Sequence, residues 1–424
     1  MIKKILFFLI VLSALGALTG GVLLPDPARS QSGRTARGQL WEIQSIDTMK
    51  YSRDRAREAL ANTSFDETIE RQIAAIAETG ANFVAIGTPY DQEFLPVLRR
   101  WVTAARRHGL RVWFRGNWSG WESWFGYAKI NTSQHIAKTR AFILNNPTLF
   151  SDGDMFTPCP ECENGALGDP RFSGKLKEFR EFLIALQSTS EQAFAKIGKQ
   201  VQVGFHSMNG DVAALTMDAA TTRQLGGRVT IDHYVSSIPR LTDDISRLAK
   251  QGGAPVVLGE FGAPIPDIHG ALNAEQQSDW IAQALNVLAR NAELQGLNYW
   301  VNVDGSTALW ESDGQARPAV ANLKKFFTPA ILYGSVITAT GKAIPNARVE
   351  TEYRKIFTDE FGTFTLPFIT GYNTTVTASY DGFRDKSVTV IDPTLPLTVQ
   401  LEPQRTTILF YVKIFLQRVT DWLQ

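Results

Sequence analysis

Between residues 39 and 327, short β-rich apolar runs alternate with amphipathic helical segments eight times, and this alternation restricts the fold more than any single motif. The runs occupy 40–43 (continuing toward Asp47), 81–86, 110–115, 154–157, 201–205, 229–234, 255–260 and 296–301. The spacing predicts helices over 66–79, 96–108, 175–197 and 275–292. Ser64 and early acids mark the first start, and Ile281, Leu285 and Leu288 share one face of the last. Eight strand–helix units within roughly 250–300 residues predict an α/β chain closed into a (β/α)8 TIM barrel. The alternative, an open doubly wound sheet, calls for a Gly-x-Gly-x-x-Gly or phosphate-binding loop after the first strand, and none is present.

After Thr328-Pro329 the pattern changes. Alternating runs at 332–338, 348–353, 362–366, 374–380 and 397–401, separated by turn residues, predict a small all-β sandwich. A chain of 424 residues suits one large domain and one small one. The expected division is an N-terminal targeting segment at 1–30, the barrel at 38–328, the sandwich at 330–403 and an amphipathic helix at 405–424. Lys3 and Lys4 precede an uncharged run over 5–24. Its length is nearer the ~20 residues of a bilayer span than the ~7–15 of a signal peptide core. The lysines orient its N-terminus to the cytoplasm, which favours an uncleaved anchor. Cleavage near Ala14-Leu15-Gly16 is the competing reading, and both export the remainder to the cell envelope or beyond. In the last segment Ile408, Tyr411, Phe415, Val419 and Trp422 lie opposite a polar stripe, a face for docking on the protein or on a membrane. Net charge of +1 excludes the basic surface that nucleic acid requires, and a monomer is expected.

Catalysis in this barrel sits at the C-terminal ends of the strands. Those ends offer Asp47 from strand one, Arg115, Asn117 and Trp118 from strand three, and Glu161 and Glu163 from strand four. Strand five offers His206, strand six His233 and Tyr234, strand seven Glu260 and strand eight Trp300. Glutamates ending strands four and seven lie on opposite sides of an eight-stranded mouth. Two facing carboxyls suit glycoside cleavage, one protonating the leaving oxygen while the other attacks the anomeric carbon or activates water. Glu260 is the expected nucleophile, and the glycines around it are expected to leave room for a ligand. A structural ion pair is its competing role. Arg115 is expected to keep it ionised. Trp118, Trp121, Trp124 and Phe125 form either a sugar-stacking wall or a hydrophobic mini-core holding a long insertion. Cys159 and Cys162 predict a local disulfide or two reduced thiols, with a redox centre as a weaker reading. Scattered histidines without His-x-His or His-Glu-x-x-His spacing argue against zinc, and no cofactor is required.

Leu258-Gly259-Glu260-Phe261-Gly262 resembles the nucleophile segment of the cellulase-type, family 5-like members of the large clan of retaining (β/α)8 glycoside hydrolases. The resemblance implies an acid/base glutamate ending strand four, met by Glu161 first and Glu163 second. It also implies a Trp beside the nucleophile, met by Trp300, and a strand-six Tyr bonded to it, met by Tyr234. Two departures stand out. No Asn precedes either strand-four Glu, and His233 adjoins Tyr234 where the clan separates His and Tyr by one residue. The strand-four departure motivates a second reading, a catalytically inactive carbohydrate-binding or scaffold barrel displayed at the envelope. Residues 331–403, through Gly334-Ser335-Val336, Ala343-Ile344-Pro345-Asn346-Ala347 and Thr358-Asp359-Glu360-Phe361-Gly362, resemble the carboxypeptidase regulatory-like domain, an accessory fold without catalytic residues. The resulting expectation is an exported glycoside hydrolase or transglycosylase with a carbohydrate substrate and membrane contact through 5–24.

Overall fold

A computed structural model describes residues 38–404. The expected anchor at 5–24 and amphipathic helix at 405–424 lie outside the described residues. Nine parallel strands form the large sheet: β1 (Ile43–Asp47), β2 (Phe83–Ile86), β3 (Arg111–Phe114), β4 (Met155–Phe156), β5 (Gln202–Val203), β6 (Met208–Asn209), β7 (Val229–Asp232), β8 (Val256–Phe261) and β9 (Leu294–Tyr299). Their order is β5-β4-β3-β2-β1-β9-β8-β7-β6. β5 and β6 are the two ends of one stretch, the first paired with β4 and the second with β7. That stretch therefore closes the sheet into a barrel and is its fifth strand. Gly204, at φ +108°, breaks its ladder, and Ser207 N–H turns back to the Phe205 carbonyl. The expected strand over 201–205 is thus shorter than predicted, and the chain rejoins the sheet beyond it as β6.

Every residue of β1, β2, β7 and β8 is buried, as parallel strands covered on both faces require. Ile46, Val84, Ile86, Val112, Ile231 and Leu258 face the helices, while Ile43, Phe83, Ala85, Trp113, Met155, Phe205 and Val257 fill the barrel interior. The helices answer this shell with 3.6-residue periodicity. Ile238–Gly252 starts with Pro in its first turn and buries Leu241, Ile245, Leu248 and Ala249. It stops at Gly253 in the left-handed conformation.

The remaining strands form a small sandwich, one sheet ordered β13-β10-β16 and the other β12-β11-β14-β15. β10 spans Ala330–Thr338, β11 Arg348–Glu350, β12 Lys355–Phe357, β13 Thr363–Phe368, β14 Thr374–Ser379, β15 Lys386–Val390 and β16 Leu397–Leu401. Leu332, Val336, Val349, Phe364, Leu366, Val376 and Val399 form its separate core. It is tied to the barrel by Tyr353, whose hydroxyl donates to Asn286 Oδ1 at 3.1 Å, and by Arg354, which donates to the Gln39 and Leu40 carbonyls.

Candidate active site

The alternation that points Ile43, Trp113, Phe205 and Val257 into the barrel carries the same inward face up to Asp47, Arg115 and Ser207. Strict alternation would put Glu260 on the outward face with Leu258. A register shift prevents this: Ile231 pairs with Leu258, but Asp232 pairs with Glu260. A bulge that re-aims one side chain beside a site is a common device. Gly259 sits at the shift, where a Cβ would lie 2.6 Å from Asp232 Oδ1 and 2.9 Å from the Ser207 Cβ. At Gly262 a Cβ would lie 2.4 Å from the Trp300 carbonyl oxygen. The space expected for a ligand at these two glycines is therefore taken by protein groups packed tightly around Glu260.

Arg115 is the hub of the resulting polar layer, fully buried on β3's extension. Its Nη1 donates to Asp47 Oδ2 at 2.8 Å. Its Nη2 lies 3.1 Å from Glu260 Oε1, 3.1 Å from Ser207 Oγ and 3.3 Å from Asp232 Oδ1. Asp47 also accepts from Asn298 Nδ2 at 3.0 Å and the Met49 N–H at 2.7 Å. Glu260, 7% exposed, accepts a second bond from the Tyr234 hydroxyl at 2.9 Å. Burial pushes the Glu260 carboxyl up to about 7, against the pull of Arg115, with the Glu161 and Asp47 charges adding to the rise. Burial and the Glu260 charge push Asp232 well above the usual carboxylate range.

The opposite rim is the loop after β4. Cys159 and Cys162 are joined as a disulfide with Cα atoms 5.3 Å apart, and both are buried. The bridge encloses Glu161, whose backbone is left-handed at φ 42° and whose N–H donates to the Ser207 carbonyl at 2.9 Å. Glu161 is half-buried, and its charge is felt at Glu260, Asp232, Glu163 and Glu122. Glu163 is buried, its Oε1 accepting the Asn209 N–H at 2.9 Å and its Oε2 unpartnered. Burial raises the Glu163 carboxyl to about 7.

The chain is similar in fold to the GH5_18 protein of Streptomyces cattleya in complex with GlcNAc, at 14% identity and a TM-score of 0.54 over 72% of this chain and 85% of that one. It is also similar to GH5_18 from Bifidobacterium longum subsp. infantis, at 14% identity and a TM-score of 0.51 over 72% and 87%. The barrel shares the (β/α)8 fold of these two proteins. A beta-glucuronidase 2 of Bacteroides uniformis aligns with 78% of this chain at 12% identity and a TM-score of 0.45, and the chain spans only 44% of its length. Residues 331–404 match the family model of the carboxypeptidase regulatory-like domain. No curated protein matches the chain by sequence.

Several sequence-predicted site residues serve other purposes. Asp47 and Arg115 are fully buried beneath the mouth, where Arg115 bonds Glu260 and Asp47 in turn bonds Arg115. Trp118 belongs to the mini-core: its ring meets Tyr90 and Phe142 edge-on, and its Nε1 donates to Thr139 Oγ1 at 3.0 Å. Trp121 stacks on Phe182 in the same core. His206 follows the inward Phe205 and so points at the helices, bonded to Gln187 at 3.0 Å and held near pKa 3 by burial. His233 turns away from Tyr234 and pairs with Asp244 at 3.1 Å. Asn117 is buried and fully engaged, its Oδ1 accepting from the Trp118 N–H and from His135 and its Nδ2 donating to Glu122 Oε1 at 2.8 Å. Trp300 remains half-buried at the end of β9.

Three residues escaped the sequence reading. Asp232 stands one residue removed from Tyr234, the spacing at which the clan places its His, and was hidden in a β-branched run. Asn298 lies inside β9 and looks like strand filler. Glu122 sits among tryptophans; burial raises its carboxyl to about 8, with the Glu161 charge adding to the rise.

Proposed function

We propose that the chain is an exported, retaining glycoside hydrolase acting on an oligo- or polysaccharide. The observation that carries this reading is the pair of contacts on Glu260. Arg115 holds one carboxylate oxygen from below and Tyr234 holds the other, with Glu161 across the mouth. In this reading Glu260 attacks the anomeric carbon as Glu161 donates its proton to the leaving oxygen, giving a glycosyl ester on Glu260. Glu161, now a carboxylate, then takes a proton from water, whose oxygen displaces Glu260 and restores both groups. Trp300 flanks the reacting sugar with an apolar face. Transfer to a sugar hydroxyl instead of water makes the same site a transglycosylase. Lys3, Lys4 and the uncharged run over 5–24 support placement at the cell envelope.

A second reading, a binding barrel without turnover, is favoured by one feature: Glu163 gives an oxygen to the Asn209 backbone, leaving Glu161 as the only half-exposed glutamate of the strand-four loop. Hydrolysis of aryl glycosides and a polysaccharide panel by wild type, Glu260→Ala and Glu161→Ala separates the two. Loss of turnover in both variants supports the enzyme. Unchanged turnover in Glu260→Ala would end the mechanism, and no turnover with retained binding in wild type favours the binder.

A further inference from the structure

We propose that Asp232 is a positioning residue that carries a proton through the neutral pH range, so that the single buried cation Arg115 is left to Asp47 and Glu260. The inference rests on Glu260 being the nucleophile, but its central measurement does not. It begins from a charge count. Arg115 touches three carboxyls, Asp47, Asp232 and Glu260, all nearly or fully inaccessible to water. One guanidinium cannot balance three carboxylates in such surroundings, because an unpaired buried charge neutralises instead.

The hydrogen bonds decide which carboxyl keeps the proton. Asp47 accepts from Arg115, from Asn298 and from the Met49 N–H. Glu260 accepts from Arg115 at 3.1 Å and from Tyr234 at 2.9 Å. Asp232 has Arg115 alone, through longer contacts of 3.3 and 3.5 Å. Donors favour the charged form of the group they reach, so the carboxyl with fewest of them is the one that stays protonated. The other groups facing Asp232 act in the same direction or add no proton donor. Glu260 lies opposite it on β8, the Glu161 and Glu163 charges reach it from the strand-four loop, and Ser207 Oγ accepts from Arg115 and makes no hydrogen bond to Asp232. Burial and the Glu260 charge raise Asp232 in accord with this assignment.

The consequence concerns Glu260. A neutral Asp232 fills the space beside it without adding a second negative charge, which would otherwise hold Glu260 protonated and unable to attack. The chain thus places an acid at a position where the clan has a base, and uses the acid in its uncharged form.

Asp232→Asn tests this, because the amide copies the shape of a neutral carboxyl. Infrared difference spectra of wild type minus Asp232→Asn at neutral pH read the protonation directly and need no substrate. Loss of a protonated carboxyl C=O band that shifts in D2O is the expected result; loss of a carboxylate band would overturn the proposal. If Asp232→Asn does not fold, Asp232→Ser gives the same comparison. In the kinetic arm, the acidic limb of kcat/KM in Asp232→Asn stays where wild type has it. Were Asp232 ionised, removing its charge would lower that limb by about one pH unit or more, and such a shift would also overturn the assignment. A chain with the expected infrared band but no turnover would sink the hydrolase reading while leaving Asp232 as assigned.

Discussion

The Tyr234 hydroxyl donates to Glu260 Oε2 at 2.9 Å, on the side of the carboxylate opposite Arg115. The bond favours the charged form of Glu260, whose carboxyl burial nonetheless raises to about 7. Tyr234→Phe removes a hydrogen bond to a charged group, worth ~1.5–3 kcal/mol. A fall in kcat of about 10- to 100-fold follows. The acidic limb of the pH–rate profile also moves up, since Glu260 then holds its proton more tightly. A Tyr234→Phe profile with its limb unmoved would show that the hydroxyl does not tune Glu260.

Arg115 is needed as a fork and not merely as a charge. Its Nη1 serves Asp47 while its Nη2 serves Glu260, Asp232 and Ser207. Arg115→Met leaves the buried carboxyls without a cation and is expected to cost ~3–5 kcal/mol, read as a drop in Tm. Arg115→Lys restores the charge but cannot reach both sides, so it recovers stability only in part and leaves turnover low. Full activity in Arg115→Lys would contradict this account.

How far the sequence reaches is clear from particular elements. The eight units are legible because strands covered on both faces read as apolar runs, and because the helix over Ala274–Leu288 sets Ile281, Leu285 and Leu288 on one buried face. Glu260 is legible as a strand-end carboxyl, but its inward direction is not, since it depends on a bulge that only the β7–β8 pairing reveals. Asp232 was missed for the same reason. Trp118 stayed open between two roles because an indole in a loop reads alike whether it faces a sugar or a core. The packing of Tyr90 and Phe142 settles the choice.

Gly259 is a second test of the bulge. Gly259→Ala sets a methyl against Asp232 Oδ1 and Ser207 Cβ, both within 3 Å of it. Overpacking of this kind costs ~1–3 kcal/mol. The displaced groups are the ones that position Arg115, so turnover should fall more steeply than Tm. A variant with wild-type kcat and wild-type Tm would place the bulge elsewhere.

The Cys159–Cys162 bridge closes a loop too short to constrain the unfolded chain strongly, so its loss is expected to cost about 2 kcal/mol or less. Its greater effect is on Glu161 and Glu163, whose loop it holds. Cys159→Ser combined with Cys162→Ser is expected to lower kcat on the order of 10-fold through looser positioning, with a small change in Tm. Complete loss of turnover, reproduced in wild type by a reductant, would instead identify a redox centre.

Glu122 makes stability depend on pH in a direction opposite to ordinary surface carboxyls. A chain of donors runs from the Trp118 indole to Thr139, and His135 and Asn117 end it at Glu122 Oε1. Burial raises this carboxyl to about 8. The folded chain therefore holds a proton that the unfolded chain releases near the ordinary carboxyl value of 4.5. Where the folded state binds more protons, stability falls as pH rises, so the loss accrues from the ordinary value up to about 8. Glu163 and Glu260, each raised to about 7, add to the same slope over a narrower window. Glu122→Gln keeps the oxygen that Asn117 needs and cannot ionise. Its Tm should match wild type in mild acid and exceed it near pH 8, by about 2–4 °C for each kcal/mol recovered. Tm curves that run parallel across this range would mean that Glu122 is ionised in the folded protein.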